Sequence, residues 1–112
     1  MDIPTKTKRA EPGIIDQHLC EVADLCRRAG ARRLDVFGSI VRGDFDPAVS
    51  DLDFLVEFDD ERPSAYANAY FSLKDGLESL FGRPVDLVTR SGLQNPFFAE
   101  RVRAELRNVY AR

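Results

Sequence analysis

The sequence predicts an α/β fold, with helices packed in layers against strands. Three observations carry that expectation. Apolar residues recur at helical steps in three segments. In another segment they alternate with a period of two. The two kinds of segment interleave along the chain.

The first helix is predicted over residues 14–29, because Ile15, Leu19, Val22, Cys26 and Ala29 share one face at steps of four and three. Gly30 is its expected C-terminal cap. A short strand follows over residues 34–37, ended by Gly38, and Ser39 opens a short helix. Residues 52–58 form the clearest strand. Leu52, Phe54, Val56 and Phe58 point one way, toward a core, and Asp51, Asp53, Leu55 and Glu57 point the other. Residues 59–63 read as a charged turn. The next helix is predicted over 64–81, with Tyr66, Tyr70, Leu73, Leu77 and Leu80 in one stripe and Gly82 at its stop. Residues 84–88 form a third strand, which carries Asp86. Asn95 followed by Pro96 is a cap and then a first-turn proline. The last helix is expected to reach about Tyr110 and to bury Phe98, Val102, Leu106 and Val109.

The chain of 112 residues is enough for one domain, expected over 13–112 behind a loose polar tail of 1–12. Hydrophobic residues make up 44%, which suits a packed core rather than disorder. The formal net charge of -3 argues against direct nucleic-acid binding through bulk electrostatics. Cys20 and Cys26 lie too far apart for a disulfide if one helix carries both, since six helical steps rise about 9 Å. They are expected to be buried, reduced thiols of a cytoplasmic protein, and a single histidine completes no zinc site. No apolar run approaches a membrane span, and the N-terminus carries no hydrophobic block.

The segment from Val36 to Phe58 holds the candidate chemistry. Asp51 and Asp53 are two apart on a strand, so their like charges project side by side. A divalent cation removes that repulsion, and Mg²⁺ prefers carboxylate and phosphate oxygens. Asp86 faces away from Val85 and Leu87. If its strand lies beside the second one, it joins the pair, and three clustered carboxylates suit two-metal phosphoryl or nucleotidyl transfer. Gly38 lets backbone approach a ligand closely, and Ser39 adds a hydroxyl and free N–H groups for a phosphate. Arg42 stands one turn later, able to steady a triphosphate or to pair with Asp44 or Asp46. Taken singly, each residue also has an ordinary role: turn, cap or ion pair.

Gly38-Ser39, Arg42-Gly43 and Asp51-Leu52-Asp53 together resemble the signature of the polymerase-beta-like nucleotidyltransferase superfamily. "GRPVDLVT" and "LQNPFFAERVRAEL" are similar to its minimal nucleotidyltransferase branch, and the resemblance covers residues 14–110. It implies a small mixed β-sheet with helices packed on it, as in the polymerase-beta palm. It also implies that Asp51, Asp53 and Asp86 hold two Mg²⁺ ions, that Gly38, Ser39 and Arg42 bind the nucleotide, and that Asp86 accepts the proton. The substrate would be ATP. In that branch the partner is a HEPN-domain ribonuclease toxin, neutralised in some members by AMP added to a tyrosine. The acceptor is expected to be held by another subunit or to be the partner itself, since a chain this short leaves little to position it. Two alternatives stand beside this one: a catalytically silent antitoxin that acts by contact, and transfer to a small molecule such as an aminoglycoside. His18 is expected on a helix surface, and Arg27, Arg28, Arg32 and Arg33 around the first helix's C-terminal end.

Overall fold

The computed structural model describes residues 13–46, 50–59 and 62–112. The expected tail of 1–12 lies outside them, as do parts of the loop before Asp51 and of the charged turn after Phe58.

The fold is the expected α/β arrangement, with four strands in one mixed sheet. The elements are α1 (Gly13–Asp16), α2 (Leu19–Ala29), β1 (Ala31–Phe37), α3 (Ser39–Arg42), β2 (Leu52–Phe58), α4 (Pro63–Phe81), β3 (Val85–Thr89), a 3₁₀ turn (Arg90–Gly92), α5 (Pro96–Glu105) and β4 (Arg107–Ala111). The strand order is β3-β2-β1-β4. β1 runs antiparallel to β2 and β4, and β2 runs parallel to β3.

The alternation in β2 sets the two faces. Leu52, Phe54, Val56 and Phe58 are buried, with Leu34 and Val36 beside them on β1 and Val85 and Leu87 on β3. Leu73 and Leu77 of α4 and Val22 and Cys26 of α2 close over them as the core. Burial pushes the Cys26 thiol up to about 12, so it stays protonated and inert. Asp35, Phe37, Asp53 and Asp86 occupy the opposite face, where α5 covers the end nearest Phe37 through a 6.3 Å edge-to-face contact of Phe37 with Phe98. Asp35 is buried there and satisfied by Arg33 Nε at 2.9 Å and Asn108 Nδ2 at 3.0 Å. Among the described residues no helix is long and apolar enough to cross a membrane.

Four expectations are corrected. The first helix is interrupted: α1 ends, the His18 N–H bonds to the Ile15 carbonyl over three residues, and α2 starts at Leu19. This break turns Leu19 and Cys20 outward, so Cys20 is exposed rather than buried. The His18 ring packs edge-on against Phe81 at 5.6 Å and is only partly exposed. Next, β1 begins at Ala31. Arg32 and Arg33 are therefore strand residues paired with Asp59 and Asp35, and only Arg27 and Arg28 sit at the helix end. Third, the third strand is shifted one residue to 85–89. The largest correction concerns the C-terminus. α5 stops at Glu105, Leu106 takes an extended conformation, and residues 107–111 form β4 on the free edge of β1. Leu106 and Val109 are half-buried as a result. The Val102, Leu106, Val109 spacing is equally compatible with either element, and the unpaired β1 edge decides between them.

α5 depends on its cap. The Asn95 side chain accepts hydrogen bonds from the Phe97 and Phe98 N–H groups at 2.9 and 3.2 Å. Asn95→Ala is expected to lower stability by about 1 kcal/mol, read as a shifted urea midpoint at constant slope.

Candidate active site

The site is assembled at one end of the sheet by three consecutive strands. β1 ends in Phe37, which lies opposite Asp53 of β2. Asp53 in turn lies opposite Asp86 of β3. Register partners on neighbouring strands point to the same face. Asp86 therefore stands on the same side as Asp53, with Asp51 just before β2 begins. Phe37, Asp53 and Asp86 thus form a row across the sheet, in the order β1, β2, β3, and Gly38 follows Phe37 in the turn, lying against Asp53.

Asp53 shows what this costs. Its carboxyl is pushed up from 3.8 to about 6, first by burial and then by the charges of Asp86 and Asp51. Arg42 acts the other way and Glu105 adds to the rise. The chemistry of the donor set fits a hard cation: three carboxylates, one of them half-desolvated, and no soft ligand. Among the described residues no group of three or more acidic, histidine or cysteine side chains is gathered as a ready-made metal cage. Mg²⁺ takes one or two protein carboxylates and completes its shell with water and phosphate oxygens.

The turn after β1 is built for close approach. Gly38 has φ 87° and ψ −153°, and a Cβ there would fall 2.1 Å from Asp53 Oδ2. The missing side chain is what lets Asp53 lie against the turn. Gly38, Ser39, Arg42, Asp51, Asp53 and Asp86 all line one cleft of about 300 Å³, so the structure brings every sequence-predicted site residue to a single place.

Two residues in that cleft escaped the sequence reading. Glu105, at the end of α5, accepts a hydrogen bond from the Gly38 N–H at 3.1 Å and from Arg42 Nη1 at 3.1 and 3.3 Å. Arg101, one turn earlier, also lines the cleft, with its Nε 3.9 Å from Glu105 Oε2. Both look like ordinary surface charges of a helix. Only their spacing of four, on one face, hinted that they act together. Arg42 also approaches Asp44 at 3.6 Å. Glu57, left open by the sequence, pairs with Arg90 at 2.7 Å.

Beside Asp86, beyond the free edge of β3, lies a second groove of about 560 Å³. Tyr66, Tyr70, Phe71, Val88 and Phe98 wall it, and among the described residues Asp86 is its one charged lining residue. Tyr70 Oη donates to the Leu87 carbonyl at 2.7 Å, which fixes one wall to the strand.

A short mixed sheet that sets a glycine-serine turn beside aspartates on adjacent strands defines a nucleotidyl-transfer enzyme. The chain belongs to the nucleotidyltransferase domain family, whose pattern it matches over residues 19–109. The protein adenylyltransferase MntA of Thermococcus cleftensis is 43% identical over 72 residues, 64% of this chain and 69% of that protein. A Methanocaldococcus jannaschii chain named as a protein adenylyltransferase is 32% identical over 75 residues, 67% of this chain and 73% of its own length. Among solved structures, a minimal nucleotidyltransferase superposes with a TM-score of 0.67 at 38% identity, over 82% of this chain and 89% of that one. A toxin–antitoxin structure with AMP-PNP shares the fold, with a TM-score of 0.60 at 21% identity over 84% of this chain and 73% of that one.

Proposed function

We propose that this nucleotidyltransferase moves AMP from ATP to a hydroxyl, in our reading a tyrosine, of a partner HEPN-domain toxin, and so acts as the antitoxin. The observation that carries the reading is the pairing of Asp53 with Asp86 on adjacent strands, with the Gly38 turn after β1 packed against Asp53. The names of the adenylyltransferase relatives and of the toxin–antitoxin neighbour support the choice of a protein acceptor.

Gly38, Ser39 and Arg42 would bind the outer phosphates at the β1 end of the row. Asp51, Asp53 and Asp86 would hold two magnesium ions, whose chemistry is to neutralise charge on the phosphates and to acidify the attacking hydroxyl. Displacement at phosphorus goes in line. If pyrophosphate leaves toward Gly38, the nucleophile enters from the Asp86 side, where the aromatic groove opens. There Asp86 accepts the hydroxyl proton, the new O–P bond forms at the α-phosphorus, and the bridge to the β-phosphate breaks. The groove walls favour an aromatic hydroxyl. An RNA end would want basic lining, and an aminoglycoside several carboxylates. We read the reaction as cytoplasmic, where ATP is supplied and thiols stay reduced.

The test incubates the protein with labelled ATP, Mg²⁺ and the purified partner. Label is expected on a partner tyrosine, found by mass spectrometry. Asp86→Asn is expected to slow transfer by about 10²- to 10⁴-fold while MgATP still binds. Tight binding of the two proteins with no label would favour neutralisation by contact, and label on an added small molecule alone would favour the other enzyme class.

A further inference from the structure

We propose that Glu105 is a positioning residue that occupies the phosphate seat of the nucleotide-free enzyme and surrenders Arg42 and Arg101 to an incoming triphosphate. The proposal rests on the nucleotidyl-transfer reading of the cleft and adds to it a device that selects triphosphates. Glu105 is only 14% exposed and its carboxylate is held by the Gly38 N–H and by Arg42, with Arg101 at its edge. These are the donors that an anion entering beside Asp53 would use. A backbone N–H makes one good hydrogen bond, so Gly38 serves either Glu105 or a phosphate oxygen. A triphosphate placed against a retained carboxylate would also meet like charge at close range.

The exchange has a direction. Charge-assisted bonds to a carboxylate are strong, so a weakly charged ligand does not displace Glu105. A triphosphate offers more oxygens and more charge, and the two guanidinium forks then grip it bidentately. Once AMP has left for the acceptor, pyrophosphate lacks the anchoring nucleoside, and the returning Glu105 carboxylate competes it off. Glu105 thus lowers affinity for every phosphate ligand and lowers it most for the short ones.

The test is calorimetric titration of the protein without its partner, so that no turnover intervenes, using MgATP and magnesium pyrophosphate. Glu105→Gln keeps the shape and an acceptor oxygen but removes the charge. It is expected to bind MgATP about tenfold more tightly than the wild type, and pyrophosphate by a larger factor, so that the preference for the triphosphate narrows. Arg101→Gln is expected to weaken MgATP binding about tenfold with little change in melting temperature. In the wild type the Gly38 amide resonance should move when MgATP is added, a readout that does not depend on the variants folding. A folded Glu105→Gln that binds MgATP no better than the wild type overturns the proposal, as does an unmoved Gly38 amide at saturating MgATP. The proposal stands without its parent reading if the Glu105→Gln gain appears but no partner is labelled. It falls alone if the wild type labels its partner and the gain is absent. No MgATP binding by either form overturns both.

Discussion

Asp53→Asn is expected to abolish transfer and to make the nucleotide-free protein more stable at pH 7.5. The first effect follows from the removal of the central carboxylate of the row. Charge stabilisation by a correctly held metal is worth several kcal/mol, so a loss of at least about three orders of magnitude is expected. The second effect follows from the raised carboxyl of Asp53, at about 6 against 3.8 without the fold. Between those two values the folded protein binds more protons than the unfolded chain. Stability therefore falls as pH rises through that window, and above about pH 7 the full penalty of the ionised group is present. Asp53 remains partly open to solvent, so we discount the shift and expect about 1 kcal/mol, or a few degrees in melting temperature. The measurement is thermal unfolding in a chelator at pH 5 and pH 7.5. The wild type should lose stability between the two relative to Asp53→Asn, and Mg²⁺ should restore it in the wild type alone. If Asp53→Asn melts lower than the wild type at pH 7.5, the like-charge account of the cluster is wrong.

That opposition between stability and chemistry is why the candidate site stood out in the sequence. An Asp-x-Asp pair at the mouth of an apolar strand is locally unfavourable, and only together with Gly38-Ser39 and Asp86 did that conflict point to a site. Strand β2 carried the same signal as perfect alternation, and its range of 52–58 is the one expected. The rest was hidden for physical reasons. β4 is stabilised by pairing with β1 rather than by its own pattern, and no local signal reports a neighbour as distant in sequence as Arg107 is from Val36. The break between α1 and α2 comes from the non-helical His18, whose ring packs on Phe81, a contact equally invisible in the local spacing. Glu105 and Arg101 became visible only once α5 was laid across the end of β1. Tertiary placement converts two unremarkable helix charges into lining of the cleft.

Gly38→Ala is the most damaging single methyl group that the site can receive. The backbone there, at φ 87° and ψ −153°, lies in a region that is essentially reserved for glycine, at a cost of about 1–3 kcal/mol for any other residue. The new Cβ would also meet Asp53 Oδ2 at 2.1 Å and Cγ at 3.0 Å, so the carboxylate must swing away or the turn must open. Either outcome takes Asp53 out of the row. We expect about 3 kcal/mol of lost stability in urea unfolding together with loss of measurable MgATP binding. Gly43→Ala is the control, because Gly43 also has a positive φ of 92° but nothing within 4 Å of its would-be Cβ. It should cost about 1 kcal/mol and leave nucleotide binding intact. The clash itself is isolated by a double-mutant cycle with Asp53→Ala. In that background the obstructing carboxylate is gone, so Gly38→Ala should cost only its backbone strain, and the coupling of about 1–2 kcal/mol is the contact between turn and carboxylate. A coupling of zero would mean that Gly38 and Asp53 do not share space, and the close approach on which the proposed phosphate seat beside Asp53 rests would be lost with it.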